Sequence, residues 1–383
     1  MSATTTLLSA PFRPFFIAAA AHALIAAVVW VVFLMHGVVP SGFLPDPFAW
    51  HGHTMISGFA GAVIAGFLLT AAANWTGRPT TSPAVLPVVV GFWLVARIGD
   101  YTHAVPPLVA LVADTGFWLL VALLVVRVVV ASRNWRNLGF AFLPLAFGAV
   151  DLAWHLGHAG IVAGISRPAL WVGVDLLTLI LGAMGGRVIP FFTQNRLRTA
   201  RVRNSMRLQV AVAALLVAAI PVNFFFPNGW LAALVMLVAG VLVLVRLAGW
   251  NSAATRGEPM LWILHAGYAW LGLGLVLRAV AAATGAFPPS TALHAVTVGA
   301  LGALALGMIA RVALGHTGRA IAARPALVVA FVLVILAGIA RTSALFPAPT
   351  WLALGVSAFL WAIAFAIYLW QFVPILLAPR MSS

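Results

Sequence analysis

The stretch HTMISGFAGAVIAGFLLTAAANWTGR (residues 53–78) runs from a histidine to an arginine with no charged side chain between them. An apolar run of about 20 residues crosses the hydrocarbon core of a bilayer as a helix, and this segment reads as one. A second stretch, HAVTVGALGALALGMIARVALGHTGR (294–319), aligns with it without gaps at an offset of 241. His53, Gly58, Gly61, Gly66, Thr76, Gly77 and Arg78 fall on His294, Gly299, Gly302, Gly307, Thr317, Gly318 and Arg319.

Working outward, His22 and His265 lie 243 apart and Arg97 and Arg341 lie 244 apart, so the segments flanking the two stretches are related as well. A weaker echo, MGGRVIPFFT (184–193) against MIARVALGHT (308–317), suits three four-helix units near 1–135, 136–255 and 256–383 within a single transmembrane domain, 1–383. Further apolar runs fall near 15–35, 84–99, 107–131, 138–158, 169–193, 206–226, 229–247, 259–284, 325–345 and 350–377. With the runs near 52–73 and 292–314, inside the two quoted stretches, this makes twelve spans of an all-α polytopic membrane protein. A displacement of eight spans preserves orientation, so the repeat is parallel, which counts against a carrier built from inverted halves. The repeated glycines read as small-residue packing between helices.

Composition agrees: 64% of the 383 residues are hydrophobic and only 7% are charged, too few polar side chains to cover a soluble surface. All 21 basic residues are Arg. With the N-terminus inside, most of them, including the connection RLRTARVRNSMR (196–207), fall on the inner side, and the outer loops receive only Arg167. By the positive-inside rule both termini are cytoplasmic. The net charge of +15 then reads as a topology determinant and not as a nucleic-acid surface. The single Arg before the first span and the lack of a small-residue cleavage pattern read as a retained first helix. The absence of Cys excludes disulfides, thiolate metal sites and covalent haem attachment, leaving His, carboxylate and Met as ligands.

Six arginines stand within or at the ends of spans: Arg97, Arg127, Arg187, Arg278, Arg311 and Arg341. Arg127 is close enough to the boundary to snorkel. Arg97, Arg278 and Arg341 lie toward the outer ends of the third, ninth and eleventh spans, and two readings stand side by side: partners for an anionic group such as haem propionates, or outward snorkelling.

Ten His accompany six acids. His51 and His53 open the second span, His294 opens the tenth, and His155 and His158 close the fifth, all at the outer edge. His51 and His53 point about 200° apart on a helix, so one centre cannot take both unless His51 lies in the preceding loop. His155 and His158, at i and i+3, share a face. His22, His265 and His316 lie deeper or toward the inner side. Imidazole is the usual neutral ligand for haem iron, copper or zinc, and ionisable residues within a membrane are functional candidates. Asp151, one turn before His155, and Asp175 are placed to orient a ligating His or relay protons. Asp100 and Asp114 pair with Arg97 or face water. No protease triad spacing, HExxH, Walker loop or dinucleotide fingerprint is present, so hydrolase and nucleotide-driven classes drop out.

The strings FRPFF (12–16), WHGHTM (50–55), GFLLTAAANWTGR (66–78), GGRVIPFFT (185–193) and the stretch 294–319 resemble the signature segments of the NnrS family, in order and over almost the whole chain. The resemblance implies a haem- and copper-containing protein of the bacterial inner membrane linked to nitric oxide metabolism, denitrification and nitrosative-stress resistance. Carried over by position, it points to His51, His53, His265, His294 and His316 as haem or metal ligands and singles out Arg187. Where similar proteins have Glu in the HxH segment this chain has Thr54, whose hydroxyl cannot ligate as a carboxylate or shuttle a proton at neutral pH.

The expectation is a haem b protein, with copper as a further cofactor. His53 and His294 are the first-choice iron ligands, His51, His265 and His316 the second, and Arg97, Arg278 and Arg341 the candidate propionate partners. Its partners are the lipid bilayer, nitric oxide or a related small molecule, and an unidentified electron donor. If it is an enzyme, redox chemistry of nitric oxide at iron or iron–copper is the reaction class. The alternative is a transporter or channel for a small solute or metal ion with a path lined by His and Arg.

Overall fold

The structure is a computed structural model that describes residues 3–37, 46–198, 201–346 and 350–381. Thr199 and Ala200 of the basic connection lie outside the described residues. Among the described residues, twelve long helices occupy the twelve expected spans: α1 (Phe12–His36), α2 (Pro47–Thr76), α3 (Val85–Tyr101), α4 (Pro107–Ala131), α5 (Leu138–His158), α6 (Ser166–Arg196), α7 (Met206–Phe225), α8 (Trp230–Ala248), α9 (Pro259–Thr284), α10 (Pro289–His316), α11 (Pro325–Thr342) and α12 (Thr350–Leu377). Among the described residues there is no strand. Eleven of these segments have the length and apolarity of a membrane span. The twelfth, α3, has 17 residues and carries Arg97 and Asp100 in its last turns.

Helix ends follow from local chemistry. Asp46 caps α2 by accepting from the Phe48 and Ala49 amides at 3.0 and 3.1 Å, with Pro47 at the first helical position. Gly37 closes α1 at φ 63°, where a side chain would be strained. Large apolar residues such as Ile25, Leu108, Leu123, Val217, Leu234 and Val329 are exposed, as they are on helices that face lipid.

The helices group into two compact units. The first comprises Met1–Gly173, Val312–Ala320 and Tyr368–Ser383, and the second Val174–Arg311 and Ile321–Ile367. In the first unit α2 is the most deeply buried span, and its glycines let neighbours approach. The His22 ring of α1 occupies the space that a Cβ on Gly58 would need, Phe15 and Phe16 do so at Gly66, and Trp118 of α4 lies against Gly61. In the second unit Gly299 meets Trp270 of α9, and Gly302 meets Trp361 of α12. The glycines thus serve packing, as read from the sequence.

The structure adds a feature of the repeat. Residues Thr54–Ala60 of α2 and Ala295–Leu301 of α10 are π-helical, in the same register at the offset of 241. A π segment accommodates one extra residue and rotates the preceding turns of the helix relative to the succeeding ones. It begins directly after His53 in one stretch and after His294 in the other.

Candidate metal centre

His53 leaves α2 on the face opposite His51, as helical geometry requires. The His51 ring stacks on Trp30 at 4.3 Å, whereas His53 is fully buried and stacks on Trp154 of α5, with centroids 3.7 Å apart and planes within 6°. Three carboxylates surround its nitrogens. Nδ1 is 3.2 Å from Asp100 Oδ1, and Nε2 is 3.5 Å from Asp114 Oδ2 and 3.6 Å from Asp151 Oδ1. His155 Nε2 meets the same Asp114 Oδ2 at 2.9 Å.

Other groups fix the acids. Arg97 bridges Asp100, at 3.0 Å, and Asp114. Asp151 accepts from Ser57 Oγ at 2.5 Å and Trp118 Nε1 at 2.7 Å. The Trp50 indole donates to the Asp100 carbonyl at 2.8 Å. All these side chains are buried or nearly so. Three carboxylates against one guanidinium leave two negative charges that a low-dielectric site does not tolerate uncompensated. Either two imidazolium ions or one divalent cation would balance them.

The donor set meets the second possibility. One ligand atom from each of His53, Asp114 and His155 can be chosen within 4.8 Å of one another. Metal–ligand bonds of about 2.0–2.2 Å place neighbouring ligands about 2.9–3.5 Å apart, and the separations of 3.5 and 2.9 Å at Asp114 Oδ2 fall there. Asp100 at Nδ1 would hold the proton on that nitrogen and turn the Nε2 lone pair inward, an arrangement common around metal-bound His. Both ring nitrogens of His53 face carboxylates, which suits a small cation among the acids better than a haem iron.

The second unit holds His265 and His294 in different surroundings. His294 Nδ1 lies 2.5 Å from the Ser290 carbonyl, one helical turn back, and 3.1 Å from Arg341 of α11. With its proton on Nδ1 the ring donates to the Ser290 carbonyl, Arg341 then stands beside Nδ1 as a second donor without bonding to it, and the lone pair is on Nε2. The two first-choice residues of this unit, His294 and Arg341, are thus brought together. His265 is spanned by hydroxyls, Thr193 Oγ1 at Nε2 and Ser252 Oγ at Nδ1, both at 2.8 Å. Arg278 pairs with Asp175 at 2.7 Å, and Asn223 donates to the same carboxylate at 2.9 Å. Arg311 lies over the Phe192 ring at 4.0 Å. In the first unit, His316 contacts Asn74 at 3.4 Å and the Phe12 ring, Thr54 is buried with its hydroxyl turned to the His51 carbonyl, and His22 donates to the Thr54 carbonyl at 3.0 Å.

Arg97 and Arg278 thus face carboxylates. Sequence spacing pairs His155 with His158 and sets Asp114 beside Arg97, but it does not join His155, Asp114 and His53. An acid near the start of the fourth apolar span, at the depth of His53, was the available signal.

Fold and site together define a polytopic helical membrane protein with a buried cluster of histidine, carboxylate and guanidinium. The family described as NnrS protein matches residues 6–380, and the chain belongs to it. No curated protein is similar enough to match the chain. Membership is consistent with a nitric-oxide-related membrane protein.

Proposed function

We propose that the chain is a metal-dependent protein of the bacterial inner membrane, both termini cytoplasmic, that acts on or responds to nitric oxide, with a metal ion held by His53, Asp114 and His155. The observation that carries this reading is the convergence of two imidazoles and a carboxylate from three helices inside a cluster short of positive charge. Two nitrogens and an oxygen suit copper or iron, the metals that supply nitric oxide with redox chemistry. Asp100 orients His53, Asp151 holds the other side of the ring, and Arg97 positions Asp100 and Asp114.

The family resemblance also brings haem b to the proposal, and His294 with Arg341 is the place whose chemistry suits it. Haem bound there would supply an iron that binds nitric oxide. The chain's own part is to present Nε2 with Nδ1 tied to Ser290 and to set a guanidinium beside it. His51, His265 and His316 are secondary candidates for either cofactor. The electron donor is a partner to be found by reconstitution, and no nucleic acid is involved.

The deciding experiment is metal analysis with reduced-minus-oxidised spectra, before and after nitric oxide, on protein expressed with haem and copper supplied. Bound copper or iron lost in His53→Ala, and a Soret band lost in His294→Ala with the fold intact, support the two sites. Colourless, metal-free protein overturns both.

A small-solute or ion carrier is the second reading. It is favoured by the π segment that interrupts α2 directly after His53, since irregular helix within a span is a feature of transport paths. Solute flux altered in His53→Ala protein that holds no metal would select it.

A further inference from the structure

We infer that the arginine-rich connection between α6 and α7 helps to form a binding site for a phosphate-bearing anion. A cavity of about 560 Å³ lies at the N-terminal end of α7, lined among others by Arg201, Arg203, Ser205, Arg246, Trp250 and Asn251. Its wall contains three guanidinium groups and no carboxylate.

Arg246 is the central observation. It is 3% exposed, near the end of α8, and it donates to neutral acceptors: Tyr268 Oη at 3.1 Å and the Gly186 carbonyl at 2.8 Å. Its Nε has no acceptor, and neither has Nε1 of the fully buried Trp250. Elsewhere in the same unit the buried Arg278 has Asp175. A buried cation without a counter-charge, beside a second unsatisfied donor, calls for an anion carrying several acceptor oxygens.

Two further features agree. Ser205 caps α7 through the Leu208 amide at 3.4 Å, so the cavity meets the positive end of a 20-residue helix dipole. Arg201 and Arg203 are exposed at its mouth, where planar guanidinium groups can grip phosphate oxygens in pairs. Phosphate chemistry at the end of a membrane helix can come from an anionic phospholipid headgroup or from free phosphate.

The test uses the full chain, purified in neutral detergent, with native mass spectrometry and thermal melting. The probes are phosphatidylglycerol, phosphatidylcholine as control, and inorganic phosphate alone. Phosphatidylglycerol or phosphate should bind and raise the melting midpoint where phosphatidylcholine does not. The double variant Arg201→Gln, Arg203→Gln, at two exposed positions, should bind at least about tenfold more weakly, whereas Arg167→Gln, in the other unit, should bind as the parent does. Binding of phosphatidylglycerol without phosphate identifies a lipid site, and saturation by phosphate alone identifies a soluble anion. Arg246→Lys probes the buried charge, and the exposed double variant keeps the test decisive if Arg246→Lys does not fold. Binding no stronger than to phosphatidylcholine, or undiminished in the double variant, overturns the site. Neither outcome depends on the metal content of the protein.

Discussion

His53 lies flat on Trp154, ring centroids 3.7 Å apart and planes within 6°, so the imidazole is held by its face as well as by the carboxylates at its edge. An indole face favours a cation or a polarised ring, and the stack leaves the ring only in-plane contacts.

Replacing His53 with Ala removes the group that sits among Asp100, Asp114 and Asp151. Buried acids stripped of a partner cost about 3–5 kcal/mol. The variant should melt well below the parent in the same detergent and, under the proposal above, should not retain a metal ion, and His53→Gln should regain part of the stability without binding metal. An unchanged melting midpoint would show that the cluster is not held by this ring.

Arg97 bridges two carboxylates, so Arg97→Met should be strongly destabilising, again by about 3–5 kcal/mol, and Asp100→Asn in the same chain should recover part of the loss. A double-mutant cycle on melting midpoints measures the coupling. Additivity of the two changes would contradict the bridge.

The two related glycines should differ. A Cβ on Gly302 would stand 2.5 Å from the Trp361 ring and 3.0 Å from Val334, whereas one on Gly61 meets Trp118 at 3.3 Å. Gly302→Ala should therefore cost about 1–3 kcal/mol and Gly61→Ala less, and Trp361→Leu should relieve the first. Equal losses, measured by thermal unfolding, would reject the packing account.

At the start of α2 the carboxyl of Asp46 is pulled in opposite directions. Burial raises it, but the Arg167 guanidinium and the Ala49 and Phe48 amides outweigh burial and hold it below its ordinary value. A carboxyl lowered on folding contributes stability above its unfolded value, and that contribution fades as pH falls through the lowered folded value. Stability lost in this acid window should be smaller in Asp46→Asn, which keeps a capping oxygen, and a parent and variant that lose stability in parallel would dismiss the effect.

Much of the fold is legible in the sequence. Apolar runs locate all twelve helices because lipid demands continuous internal hydrogen bonding. Alternating direction puts the starts of even spans and the ends of odd ones on one side, so a common depth for His53, Arg97, Asp100, Asp114, Asp151 and His155 comes from counting. What counting does not give is the azimuth of each helix. His155 turns to Asp114 while His158 lies parallel to the Trp154 ring at 5.4 Å, a choice made by packing partners distant in sequence. Nor do the π segments leave a trace in helices that are apolar all round, since periodicity is readable only where polar and apolar faces differ.

The matching π segments at Thr54–Ala60 and Ala295–Leu301 bear on ancestry. The same irregularity at the same register is most simply inherited, so the extra residue was already in the primordial unit when its gene doubled. The acids tell a later story. At offsets of 244 and 243 from Asp100 and Asp114 the descendant copy has Ala344 and Ser357, while Trp118 is answered by Trp361. One copy carries these two acids among its helices and the other does not, although Arg278 is still buried there against Asp175, which is how a doubled ancestor divides its labour.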